Sequence, residues 1–230
     1  MAVVYCALDT AELDSAARLA GKLDGAVGGL KLGLEFFSAC GPEGVARMAA
    51  AGLPIFLDLK LHDIPNTVAK AVRALLPLKP AILTVHAAGG PAMLRAAAEA
   101  AKEAGEHAPR VVGVTVLTSL DDGDLKRMGW AGGAAASVET LAEVAREAGL
   151  DGIVCSPRET AAMRARHGDD FFLVVPGIRP DWAAAGDQKR VTTPAEAAAA
   201  GADVLVIGRP ITAADDPAAA AARIADELQP

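Results

Sequence analysis

Residues 54–67 read PIFLDLKLHDIPNT, in which an acid and a base, Asp58 and Lys60, stand two positions apart inside the otherwise apolar run 54–61. Side chains of an extended chain alternate between two faces and rise about 3.3 Å per residue, so this pair projects to one side, about 6.6 Å apart along the strand. Leu57, Leu59 and Leu61 then point the other way. Pro65 follows closely, and proline is favoured at the first position of a helix. The stretch therefore predicts a buried strand over 54–61 that hands over to a helix over 65–76.

The same unit recurs along the whole chain. Apolar, β-branched runs at 3–8 (VVYCAL), 29–34 (GLKLGL), 82–87 (ILTVHA), 111–118 (VVGVTVLT) and 152–156 (GIVCS) precede helical patterns at 12–22, 43–51, 91–104, 137–148 and 158–166. Runs at 171–178 (FFLVVPGI) and 204–211 (VLVIGRPI) precede helices at 194–200 and 217–228. Near-continuous apolar strands are expected of a parallel sheet covered on both faces. Eight such units without a linker predict an α/β chain folded as one (β/α)₈ (TIM) barrel domain over residues 1–230. A doubly wound open sheet is the runner-up, disfavoured because no G-x-G-x-x-G turn follows the first strand. The longest connections, 119–135 and 179–193, are where functional loops are expected.

Composition narrows the function. The 230 residues carry 22 Lys+Arg against 29 Asp+Glu, a formal net charge of -7, and such a balance speaks against nucleic-acid binding, which needs a basic field. Aromatics are 3%, too few for a base-stacking platform, while 52% hydrophobic residues supply a sizeable core. No window is apolar and long enough to span a membrane. Three scattered cysteines, Cys6, Cys40 and Cys155, show no metal-ligand spacing and read as reduced residues of a cytoplasmic protein.

In a barrel of this kind the reaction site forms at the C-terminal strand ends. Asp9 ends strand one, Lys31 lies in strand two, Asp58 and Lys60 lie late in strand three, and His86 ends strand four. Unpaired charge is costly to bury. Lys31 offers Asp58 an opposite charge, and Asp63 offers one to Lys60 if it is brought close. An ion-pair cluster that only fills the barrel is the bland interpretation, but four charges at a barrel mouth are better explained as a preorganised field. His86 is expected to be a packed, hydrogen-bonded strand-end residue, His62 to sit on the rim, and His107 and His167 to be solvated in helix-to-strand turns.

The element DLKLHDIPNT at 58–67 resembles the signature of the orotidine 5'-phosphate decarboxylase family. ALD at 7–9, KLGLEFF at 31–37, VTVLTS at 114–119, PGIRP at 176–180, Gly-Asp-Gln at 186–188 and VIGRPI at 206–211 follow in that family's order. The resemblance implies decarboxylation of orotidine 5'-monophosphate to uridine 5'-monophosphate in de novo pyrimidine synthesis, with no metal and no organic cofactor. It also implies a homodimer of barrels in which Asp63 and Thr67 reach into the partner's site. Lys31, Asp58, Lys60 and Asp63 would form an alternating charge array, with Lys60 the proton donor to C6 of the pyrimidine. Asp9 and Lys31 would hold ribose hydroxyls, Thr67 with Asp63 the 2'-hydroxyl, and Thr118, beside Ser119, the pyrimidine amide edge. The loops after strands seven and eight would take the phosphate, through Gly208, Arg209, Arg179 and Gln188.

Two rivals remain open at this level. A magnesium-dependent decarboxylase or aldolase acting on a phosphorylated ketose would use a similar strand three, with an acidic metal ligand such as Glu35 near the end of strand two. A catalytically silent nucleotide-binding regulator would also use the barrel, although the complete charged set argues against it.

Overall fold

The computed structural model describes residues 2–183 and 192–228. Eight strands, β1 (Val3–Leu8), β2 (Gly29–Leu32), β3 (Ile55–Leu61), β4 (Ile82–His86), β5 (Arg110–Val114), β6 (Gly152–Val154), β7 (Phe172–Pro176) and β8 (Val204–Ile207), close into a barrel in sequence order. Each pairs in parallel with its neighbours, and β8 closes onto β1. The predicted fold class is the one observed.

Alternation along the strands creates two apolar layers. Val4, Cys6, Leu8, Ile55, Leu57, Leu83, Val85, Leu173 and Val175 face outward into the core shared with the helices. Tyr5, Ala7, Phe56, Ile82, Val112, Val174, Val204 and Val206 fill the barrel interior. Phe56 is followed two residues later by Asp58, so the interior turns from apolar to charged on ascending β3.

The helices between strands are α1 (Leu13–Leu23), α2 (Leu34–Ala49), α3 (Pro65–Leu75), α4 (Gly90–Lys102), α5 (Asp122–Arg127), α6 (Gly133–Glu147), α7 (Pro157–His167), α8 (Pro194–Ala199), α9 (Arg209–Thr212) and α10 (Pro217–Glu227). Four expectations are corrected. The helix predicted at 43–51 begins at Leu34 and is kinked at Gly41, which has φ 60°; the Gly41-Pro42 step imitates a helix start because proline is favoured there. The connection 119–135 contains α5, whose cap Asp121 accepts from the Asp124 N–H in a capping box. Strand eight stops at Ile207, and residues 209–212 form the single turn α9. His167 is buried at the end of α7, its ring 4.8 Å from that of Phe171, rather than solvated.

The N-terminal strand ends are closed by a polar network. Arg164 of α7 donates to the carbonyls of Gly168 (2.5 Å), Phe171 (3.0 Å) and Gly201 (2.7 Å), and pairs with Asp203 at 2.6 Å. The same Asp203 carboxylate accepts the Leu173 N–H at 2.7 Å. One guanidinium thus ties together the segments leading into β7 and β8, and its fixed fork of donors suits that task.

Candidate active site

At the opposite end, β2, β3 and β4 bring four polar side chains together, Lys31, Asp58, Lys60 and Thr84. Asp58 and Lys60 do lie on one side, as period two requires, and the Lys60 ammonium is 2.8 Å from Asp58 Oδ2. The path between them is not regular strand. Lys60 has φ 51°, and Leu57 pairs with Leu83 while Leu61 pairs with Val85. Four residues of β3 therefore span two of β4. An excursion of this kind re-aims side chains and is common beside reaction sites, and positive φ at a non-glycine residue carries a conformational cost of about 1–3 kcal/mol.

Lys31 of β2 adds a second ammonium, 3.7 Å from Asp58 Oδ2 and 3.4 Å from Asp9 Oδ1. The side chains of Lys31 and Asp58 are 11% and 12% exposed, whereas that of Asp9 is 65% exposed and Lys60 30%. The buried pair is Lys31 and Asp58, and the array as a whole alternates two cations with two anions, the ammonium of Lys60 being the cation on the open side. Glycine at 33 contributes to this arrangement, since a Cβ there would approach Lys31 Nζ to 3.1 Å. The second oxygen of Asp58 accepts from the Thr84 hydroxyl at 3.0 Å, and Thr84 is fully buried.

These groups open on a cavity of about 220 Å³ walled by Lys31, Phe56, Asp58, Lys60, Val114, Val116, Leu117, Thr118, Val154, Cys155, Val174, Pro176 and Val206. Its floor and far wall are apolar, so few water molecules would share the space with a ligand and the charges would act at low effective dielectric. Burial pushes the Cys155 thiol up to about 12, which leaves it a neutral part of the wall and not a nucleophile.

The remaining predicted residues are placed as follows. Thr118 is at the cavity edge, exposed. Gly208 lies near the end of β1, where a Cβ would meet Ala7 at 3.5 Å and Asp9 at 3.9 Å. Arg209 is exposed at the first position of α9, and Arg179 is buried beside the Ile178–Thr192 bridge, its backbone N–H donating to the Thr192 carbonyl at 3.0 Å. Gln188 lies outside the described residues. Asp63 and Thr67 are exposed on the rim at the start of α3, outside the cavity wall. Asp63 Oδ1 accepts the Ile64 N–H at 2.7 Å, and no ion pair joins Asp63 to Lys60 among the described residues. The expected fourth charge is thus absent from the array that this chain builds by itself.

His86 is packed at the end of β4 with its ring stacked on that of His62, centroids 5.1 Å apart. The expectation of a hydrogen-bonded imidazole is corrected at one nitrogen, because the buried Nδ1 has no hydrogen-bond partner among the described residues. Burial, then the neighbouring His62 and Lys60, lower its pKa from the ordinary 6.5. Glu35, the acid that would have served a metal, is exposed in the first turn of α2. Sequence reasoning missed Thr84 and the apolar wall, although Thr84 stands two before His86 in ILTVH and the period-two reading used for Asp58 applies equally there.

Residues 3–224 match the family model described as "Orotidine 5'-phosphate decarboxylase / HUMPS family". A relative from Rhodospirillum rubrum named "Orotidine 5'-phosphate decarboxylase" is 58% identical over 230 residues, covering 98% of this chain and 93% of its own. One of the same name from Sphingopyxis alaskensis is 59% identical over 221 residues, with 96% of each chain covered. The crystal structure of orotidine 5'-phosphate decarboxylase from Lactobacillus acidophilus superposes with a TM-score of 0.89 at 37% identity, over 100% of both chains. With the match running from β1 to α10 and the Asp-x-Lys pair set at the barrel mouth, this chain belongs to the orotidine 5'-phosphate decarboxylase family.

Proposed function

We propose that Lys60 is the proton donor in the decarboxylation of orotidine 5'-monophosphate to uridine 5'-monophosphate and carbon dioxide, with this one barrel as the catalytic domain. The enzyme is a carboxy-lyase of pyrimidine biosynthesis. The observation that carries the Lys60 assignment is its ammonium, clamped 2.8 Å from Asp58 in the wall of an otherwise largely apolar cavity.

The chemistry favours such a group. When the C6–carboxylate bond breaks, the electron pair stays on C6 in the plane of the ring, where the π system does not readily delocalise it. A cation fixed beside C6 interacts more strongly with that developing charge than with the substrate, and this difference is what lowers the barrier. Lys60 then transfers a proton to C6, carbon dioxide leaves, and the neutral amine regains a proton from solvent. Asp58 holds the ammonium in place. Its own repulsion of the substrate carboxylate would be about 4 kcal/mol at 4 Å and an effective dielectric of 20, but its oxygens are engaged by Lys60, Lys31 and Thr84. We assign the larger share of catalysis to the lysine.

Asp9 and Lys31, paired at the mouth, suit a ribose diol, and Thr118 suits the amide edge of the pyrimidine. Gly208, Arg209, Arg179 and Gln188 are assigned to the phosphate, as backbone, guanidinium and side-chain amide donors on the loops after β7 and β8. Binding energy from that distant group can be spent on ordering the charged array, so the phosphate contacts bear on turnover as well as affinity. Asp63 and Thr67 are assigned to the site of a second copy in a homodimer; their exposure on the rim, beside Ile64 at 67% exposure, supports this. The three free cysteines fit a cytoplasmic setting, and no helix among the described residues is long and apolar enough to cross a membrane.

Loss of orotidine 5'-monophosphate absorbance in the presence of a chelator tests the reaction and separates it from magnesium-dependent ketose chemistry. Mixing the inactive Lys60→Ala and Asp63→Ala variants tests the dimer. A mixed dimer has one site with both residues intact, so random exchange should restore about a quarter of wild-type activity. No recovery on mixing would place Asp63 outside the shared site.

A further inference from the structure

We propose that Thr84 is a positioning residue for this reaction, holding both ends of Lys60 through one hydroxyl. The inference rests on Lys60 being the proton donor. The Lys60 backbone N–H donates to Thr84 Oγ1 at 2.8 Å, and the Thr84 hydroxyl donates to Asp58 Oδ1 at 3.0 Å. The other Asp58 oxygen takes the Lys60 ammonium at 2.8 Å. The three residues form a closed hydrogen-bonded ring that begins at the lysine backbone and returns to its Nζ.

The β3–β4 register explains why a side chain is needed. Between the pairs Leu57–Leu83 and Leu61–Val85, β3 carries three residues against one on β4, and that one is Thr84. The regular ladder is interrupted there, so the Lys60 N–H finds its acceptor on the threonine side chain. Lys60 sits at φ 51°, and a left-handed residue persists only where its surroundings over-determine it. Thr84 is 0% exposed, so no water takes over when its hydroxyl is removed. An isosteric valine would leave one buried donor and one carboxylate oxygen without partners. It would also leave Asp58 free to rotate about its side-chain bonds, carrying the ammonium with it. Reacting groups displaced by about 1 Å can cost about 100-fold in rate.

The test is steady-state kinetics on orotidine 5'-monophosphate with Thr84→Val, Thr84→Ser and Thr84→Ala, together with calorimetric affinity for uridine 5'-monophosphate. Thr84→Val should lower kcat about 10- to 100-fold with KM and nucleotide affinity within about threefold, because binding uses other groups while alignment is lost. Thr84→Ser keeps the hydroxyl and should stay within about threefold of wild type in kcat. Should the valine protein not fold, the Ser and Ala variants decide, since they differ only in that oxygen; Ala should turn over at least about tenfold more slowly. Equal losses in Ser and Val, equal rates in Ser and Ala, or an unaffected kcat in Val would each overturn the inference. An inactive wild type would overturn the proposed function itself, whereas an active wild type with an unaffected valine variant would overturn only the role of Thr84.

Discussion

The barrel carries a partly buried ion cluster at each end, and they are built on opposite principles. At the N-terminal end Arg164 spends its donors on three backbone carbonyls and the Asp203 carboxylate, and Asp203 in turn accepts a backbone N–H. The charge is consumed by loops that must be held. At the C-terminal end two ammonium groups share Asp58, and both lie in the wall of a cavity. Buried ion pairs are weak stabilisers relative to apolar filling. A cluster with a lysine in left-handed conformation and an open face on a cavity is therefore retained for what it does to a ligand.

Substitutions at the two ends should separate cleanly. Lys60→Ala should remove at least about 10³-fold in kcat while uridine 5'-monophosphate still binds, since both the proton and the fixed cation are lost. Its folded stability should change by no more than about 1 kcal/mol, because Lys60 is partly exposed and Asp58 keeps Lys31 and Thr84 as partners. Near-normal turnover would contradict the proton-donor role. Arg164→Ala should do the reverse, costing about 2–3 kcal/mol in urea denaturation by leaving carbonyls unpartnered and Asp203 without its cation. Its kcat/KM should match wild type, and a large loss of activity in the folded protein would mean that the two ends are coupled.

Smaller effects refine the picture at the mouth. Arg209→Ala should lower kcat/KM about 10- to 100-fold by weakening phosphate capture, with the folded state unaffected. A pH effect should come from His86. Its pKa is lowered in the folded state, so the unfolded chain binds the proton first as pH falls below 6.5. The stability it contributes is complete above that value and is lost as pH drops toward the folded pKa. The melting temperature should therefore decline from pH 7.5 to pH 5, less steeply in His86→Asn, leaving His167, also lowered by burial, as the residual source.

Much of this was legible in the chain. Eight apolar runs separated by helical patterns predicted the barrel, and D-x-K on one strand predicted a shared face, because strand periodicity is a local property. The helical turns α5 and α9 were not recognised. The cap Asp121 and its partner Asp124 were visible signals for the first, while α9 is too short to show a period.

What the sequence determined by itself is the set of strands, their order and the faces their side chains share, since these follow from covalent geometry and solvent preference residue by residue. Only the tertiary structure decided that Lys60 turns left-handed, that Thr84 closes a ring with Asp58, and that Asp63 stays on the rim away from Lys60. The Thr84 contacts join residues 24 and 26 positions apart. They depend on the register of β3 against β4, which is set when all eight strands close and no local pattern encodes it.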